Sequence, residues 1–264
     1  MSNNQIKKQA GFTLVELAIV MIIVGLLIGG ILKGQELIAN ARVAATVSQI
    51  KAIDAAMNTF FEAYAAIPGD MQVPGAGTPN TRLPNCINAC NQDGNGNGRI
   101  DGVPGIAWPN LTTTATYEGG AAFAMMNAAD VLGGINLSGA VGDAPLPGVS
   151  IPSASVPGSS IKIGFSVGAV TAGTAAAVRA GHYLLVDNSR AAASSAATTS
   201  MLPSVAFRID TKLDDGLPNT GSAIGMGGAA ATTAGNCAAA GGAADAYNQA
   251  LTTVDCGIYA RIGG

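Results

Sequence analysis

The chain has 264 residues, a formal net charge of −3, only 11% charged residues and 36 glycines. Its cations, among them Lys162, Arg179, Arg208 and Arg261, are scattered along the sequence. That excludes a broad electrostatic nucleic-acid surface, which needs a clustered basic face.

The first element is an apolar run. From Phe12 to Leu32 nearly every residue is Leu, Ile, Val, Met, Ala or Gly. About 20 such residues are what one helix needs to cross a bilayer, and a helix satisfies its own backbone polar groups there. Lys7 and Lys8 precede the run, with no acidic residue among residues 1–11. Positive residues hold that end in the cytoplasm and send the rest of the chain outward. Glu16 breaks the pattern about one helical turn into the run. An ionised side chain in hydrocarbon costs on the order of 2–3 kcal/mol on insertion scales, so Glu16 asks for a partner. A removable secretory signal has its small-residue cleavage site after the apolar core. Here the small residue, Gly11, stands before it. Cutting there frees the Phe12 amine and leaves the membrane helix on the mature protein.

The stretch Gly11-Phe12-Thr13-Leu14-Val15-Glu16-Leu17, after a short Lys-containing leader, resembles the signature of type IV pilins and the related pseudopilins. The close match covers residues 5–35 or so. The resemblance implies cleavage between Gly11 and Phe12 by a prepilin peptidase and N-methylation of Phe12. It also implies that Glu16 pairs with the N-terminus of a neighbouring subunit during assembly. The implied fold is α+β, a long membrane-spanning helix carrying a pilin-like globular head with a small antiparallel sheet. The expected segments are a leader at 1–11, a helix at 12–67 that spans the membrane to about residue 32, and a head at 68–264. Implied partners are other pilin subunits, the peptidase, an inner-membrane assembly platform and lipid. The implied location is the bacterial inner membrane, then an extracellular pilus or a periplasmic pseudopilus.

Val43, Val47, Ile50, Ile53, Met57, Phe60 and Tyr64 recur at steps of three and four, which predicts that the helix continues with one apolar face. Ile67-Pro68-Gly69-Asp70 stops it, because proline disfavours helix for the residue before it. Gly25, Gly29, Gly30 and Gly34 lie within or just past the membrane part, where small residues allow close helix contact.

Residues 69–109 are rich in Gly, Pro and Asn. Within them Asp93, Asn95, Asn97, Gly98, Arg99 and Asp101 have the spacing of an EF-hand-type calcium loop. Asp93, Asn95 and Asn97 offer side-chain oxygens, Arg99 its carbonyl, and Asp101 a further carboxylate. Position twelve, which needs a bidentate Glu, is Pro104. A turn-rich surface loop without metal has the same composition. Calcium is expected here with weak affinity, about 0.1–1 mM, its shell completed by Glu118, Asp130 or water. Cys86 and Cys90 stand just upstream. One histidine, His182, and distant further cysteines speak against zinc, so a short disulfide bracing the loop is expected. Four cysteines fit two disulfides in an oxidising space.

Residues 117–132 read as a helix with Ala121, Ala122, Met125, Ala128, Ala129 and Leu132 on its apolar face, stopped by Gly133-Gly134. Residues 161–167 alternate and predict a half-buried strand. Residues 183–186 predict a second, and His182 reads as solvated or packed. Pro203 opens a third helix with Leu202, Val205, Ala206, Ile209 and Leu213 on one face. Asp214 and Asp215 then begin a compound turn. The region after Gly225 is Gly/Ala-rich. Type IV pilins often close a C-terminal loop with a disulfide, so the resemblance implies Cys237–Cys256.

The function these readings favour is structural: a minor or large pilin of a type IV pilus-like filament. The alternative is a pseudopilin of a type II secretion system. A membrane-anchored exported binding protein or enzyme ranks lower, since no nucleophile elbow, metal-binding His pair or phosphate loop is present.

Overall fold

The computed structural model describes residues 13–72, 82–83, 94–101, 118–135, 147–166, 168, 179–188, 200–227, 237 and 246–263. The chain divides into two compact units, Met1–Arg42 and Val43–Gly264. Gly11, Phe12, Cys86, Cys90 and Asp93 lie outside the described residues.

Helix α1 runs over Leu14–Tyr64. In the first unit its large apolar side chains, from Leu14 to Ile38, are exposed. An 18-residue window of this helix has a mean hydropathy of 2.7, with none of it buried. In the second unit the periodic stripe is buried: Val43, Val47, Ile50, Ile53, Met57 and Phe60 all enter the core. Fully burying side chains of this kind stabilises by about 1.5–3 kcal/mol each. The helix ends at Tyr64, three residues short of the predicted end at 67. Ala65 adopts a left-handed conformation, φ 52°, and its N–H closes on Phe61 O at 2.8 Å. The Arg82 guanidinium donates to the Tyr64 carbonyl, one of the helix-end acceptors that needs a donor from elsewhere.

Helix α2 covers Glu118–Ala128, shorter than the predicted 117–132. Asp130 takes φ 57°, and the N–H groups of Val131 and Leu132 both turn back to Met126 O. The helix is buried on all sides, with Phe123, Ala124 and Met126 inside as well as the predicted face.

Among the described residues four strands form one antiparallel sheet in the order β1-β2-β4-β3. They are β1 Ser160–Ser166, β2 Gly181–Asp187, β3 Ala223–Gly227 and β4 Cys256–Arg261. β1 pairs with β2 from Ser160↔Asp187 to Ser166↔Gly181. β4 then pairs with β2 through Leu185↔Tyr259 and with β3 through Ile224↔Tyr259. Ile161, Ile163, Leu184, Val186, Ile258 and Ala260 face the main core. Tyr183, Leu185, Ile224, Met226 and Tyr259 form a second cluster. Alternate residues along a strand point to opposite faces, so both faces of this sheet are covered. β1 is therefore not half-buried as its alternation predicts. Its Lys162 is inside, paired with Asp187 at 2.7 Å.

Helix α3, Pro203–Leu213, buries Pro203, Ala206, Ile209 and Asp210. Pro203 fits the first turn because that position needs no N–H donor. The helix packs against β4 and β3.

Candidate functional site

The N-terminal end of α1 is built by its own sequence. Thr13 precedes the helix and Glu16 is its third residue. The Thr13 N–H and Oγ1 both donate to Glu16 Oε2 at 2.9 Å, and the Glu16 N–H donates back to Thr13 Oγ1 at 3.3 Å. This is a reciprocal capping box, in which Thr and Glu three residues apart satisfy each other's free backbone donors. Glu16 thus has a polar partner within its own chain, in a segment where a bare carboxylate is costly. In the sequence Thr13 stands only as a member of the motif, although Thr-x-x-Glu ahead of an apolar run is itself the pattern of such a box. Extra Cβ atoms built on Gly25, Gly29, Gly30 or Gly34 meet nothing within 4 Å.

The second place is the loop at 94–101, in the second unit. Two residues outside it hold it closed. Asp70, in the turn after α1, accepts the N–H groups of Gly96 at 2.6 Å, Asn97 at 3.1 Å and Gly98 at 2.7 Å. Glu118, at the start of α2, accepts those of Asn95 at 3.0 Å and Asp101 at 2.6 Å. Both carboxylates are 4% exposed. The packing tolerates no Cβ at two glycines. One on Gly69, φ +92°, would lie 2.3 Å from Glu118 O, and one on Gly94 would lie 2.2 Å from Asp70 C. Burial pushes Glu118 up to about 7, and the charges of Asp70 and Asp101 push the same way against the two N–H bonds.

Three of the predicted calcium ligands come together here. The amides of Asn95 and Asn97 both donate Nδ2 to Asp101 Oδ2, at 3.0 and 2.5 Å. Their oxygens are turned inward as Asx turns, accepting the N–H of Asn97 and of Arg99, each at 2.9 Å. Arg99 places its guanidinium over the Phe165 ring, 5.0 Å from the centroid. Glu118, one of the three candidates for completing the shell, is in contact with the loop. In the sequence Asp70 stands only as part of a helix stop. Among the described residues no group of three His, Cys, Asp or Glu side chains stands ready to hold a metal.

The remaining sequence candidates have structural partners. Cys237 and Cys256 are joined in a disulfide, 19 residues apart. Closing a loop of that length gains about 3 kcal/mol from the unfolded state. Within that span Tyr247 donates its hydroxyl to buried Asp210 at 2.7 Å. Burial pushes Asp210 up to about 6, and the Tyr247 bond opposes the rise. Asp214 and Asp215 take turn roles: Asp214 accepts the Ser222 N–H, and Asp215 accepts the Leu217 N–H at 2.8 Å. His182 is packed, 6% exposed, with its ring edge-on to Phe165 at 5.1 Å.

An apolar N-terminal helix of membrane-spanning length, opened by a Thr–Glu box and followed by an α+β unit, fits a membrane-anchored single-pass protein. Residues 6–32 match the model of the prokaryotic N-terminal methylation motif. That is the prepilin motif, and over these residues the chain is similar to type IV pilins and pseudopilins. The match covers the motif and no part of the second unit. No curated protein and no solved structure matches the chain.

Proposed function

We propose that the protein is a structural, non-catalytic subunit of a type IV pilus-like filament, a minor or large pilin. In this reading the chain is cleaved after Gly11, methylated on Phe12 and assembled through its N-terminal helix with Glu16 as the register-setting charge. The observation that carries it is the methylation motif at residues 6–32. The capped Glu16 inside an apolar helix supports it, since a plain anchor has no use for a carboxylate there. Intact-mass analysis of protein from its native membrane tests the processing. The expected species begins at N-methyl-Phe12. A mature form that keeps Met1, or that begins beyond Leu32, sinks the reading. Imaging then separates surface pili from a periplasmic pseudopilus, the assembly expected of a type II secretion pseudopilin.

We also propose that the loop at 94–101 binds calcium weakly. Hard oxygen ligands suit this cation. Asn95, Asn97 and Asp101 already converge, and the charges of Asp70 and Asp101 both act on the Glu118 carboxylate beside them. Turning the two Asn amides over would exchange their Nδ2 donors for oxygens. Asp93, the Arg99 carbonyl and water are the further ligands. With a dissociation constant of about 0.3 mM, calcium at about 3 mM should stabilise the protein by about 1.4 kcal/mol. Thermal unfolding of the full chain in detergent, with chelator as control, measures this. Asp101→Asn should remove the gain; a wild-type transition indifferent to calcium returns the loop to a plain turn.

A further inference from the structure

We infer that Asn95 and Asn97 are modification sites at which the loop converts its own side chains from amide to carboxylate. Asn95-Gly96 and Asn97-Gly98 are the only Asn-Gly pairs in the chain, and both asparagines are exposed. A glycine after asparagine has no Cβ to shield its backbone nitrogen from the preceding side-chain carbonyl.

The structure surrounds the two pairs with the same set of contacts. The Gly96 N–H donates to Asp70 Oδ1 at 2.6 Å and the Gly98 N–H to Asp70 Oδ2 at 2.7 Å. One buried carboxylate thus stands as base against both nucleophilic nitrogens, within the reach that proton abstraction requires. The electrophilic carbonyls are polarised. Asn95 Oδ1 accepts the Asn97 N–H and Asn97 Oδ1 accepts the Arg99 N–H, each at 2.9 Å. Backbone donors so placed stabilise the oxygen as it gains charge. Both departing nitrogens are held by Asp101 Oδ2.

For Asn95, the Gly96 nitrogen attacks Cγ and its proton passes to Asp70 Oδ1. The charge on the tetrahedral oxygen is met by the Asn97 N–H. The bond from Cγ to Nδ2 then breaks, the proton goes to the departing nitrogen, and ammonia leaves a succinimide. Water adds to one imide carbonyl and opens the ring to aspartate or isoaspartate. Nothing is oxidised or reduced. Asn97 follows the same course with the Gly98 nitrogen, Asp70 Oδ2 and the Arg99 N–H. Each conversion to aspartate adds one negative charge beside Asp101. A stronger oxygen site for a hard cation then follows; this consequence, unlike the modification, rests on the calcium reading.

The test holds full-length protein in detergent at neutral pH and follows conversion by peptide mapping, each event adding about one mass unit. Asn95 and Asn97 should convert about a hundredfold faster in the native protein than in the same chain unfolded in urea, the low end of what a positioned general base contributes. Asn40 and Asn127 serve as internal references that stay unchanged. In Asp70→Asn the native rate should fall to that of the unfolded chain. A native rate equal to or below the unfolded one shows that the turn protects its amides and overturns the proposal. A folded Asp70→Asn variant that converts at the wild-type rate overturns the role of Asp70. If that variant does not fold, the comparison of native with unfolded wild type decides alone. Aged protein should also show a larger calcium-induced melting shift than fresh protein. Conversion with no calcium response in either sinks the calcium reading and leaves the modification standing.

Discussion

Lys162→Met should destabilise the protein by about 3–5 kcal/mol, the usual cost of removing one partner from a buried ion pair. The side chains of Lys162 and Asp187 are 7% and 2% exposed, and Lys162 Nζ lies 2.7 Å from Asp187 Oδ1. Burial pulls the Lys162 ammonium below its usual range, and the Asp187 charge opposes the fall. The pair joins the two strands at one end of β1–β2, where Ser160 sits opposite Asp187 and gives its hydroxyl to Asp187 O at 3.2 Å. Methionine fills the volume of the lysine stem but removes the ammonium that pairs with Asp187 Oδ1 at 2.7 Å. Domains are stable by only about 5–15 kcal/mol, so a loss of this size is a large fraction of the whole. Urea unfolding reads it directly. The double variant Lys162→Met/Asp187→Leu should recover most of the loss, because an apolar pair of similar volume replaces a buried ion pair at little cost. A single variant within about 0.5 kcal/mol of wild type, the range of an ordinary surface change, would show that water reaches the pair in solution.

Lys162 also shows where sequence reading stops. The run at 161–167 has strand periodicity, and periodicity assigns every second residue to solvent. A sheet covered on both faces breaks that rule, and nothing local in the sequence reports the second cover. β3 and β4 were not legible for a related reason. Ala-Ile-Gly-Met-Gly and Cys-Gly-Ile-Tyr-Ala-Arg show no clean alternation. Their inward and outward residues are both apolar or small, and the pairings of β4 with β2 and of β3 with β4 join segments far apart in sequence. The stripe from Val43 to Phe60 was legible because a helix with one buried face writes its period into consecutive residues. In the loop, Asn95, Asn97 and Asp101 could be found by spacing, since neighbours in sequence remain neighbours in space. Asp70 could not, because it reaches the loop from another segment by a tertiary contact. The Cys237–Cys256 pairing was anticipated only through the resemblance to pilins. Spacing alone leaves three pairings of four cysteines open.

Glu16→Ala should leave cleavage, membrane insertion and folding of the second unit intact while filament incorporation falls by about tenfold or more, the effect of losing roughly 1.4 kcal/mol per subunit contact. The apolar substitution makes the membrane segment cheaper to insert, so a defect must arise after insertion. Alanine removes two things at once, however. It deletes the charge proposed to meet a neighbour's Phe12 amine, and it deletes the acceptor of the Thr13 N–H and hydroxyl. Losing a cap of this kind costs about 0.5–2 kcal/mol of helix stability. Glu16→Gln separates the two. Glutamine serves in a capping box as glutamate does, but carries no charge to offer an amine. Comparing subunit level in the membrane fraction with subunit level in sheared or periplasmic filaments gives the answer. Loss of incorporation in both variants assigns the effect to the charge and supports assembly through Glu16. Recovery in Glu16→Gln assigns it to the Thr13–Glu16 box and removes the ion pair from the mechanism. Equal incorporation of Glu16→Ala and wild type would return α1 to the role of a plain membrane anchor.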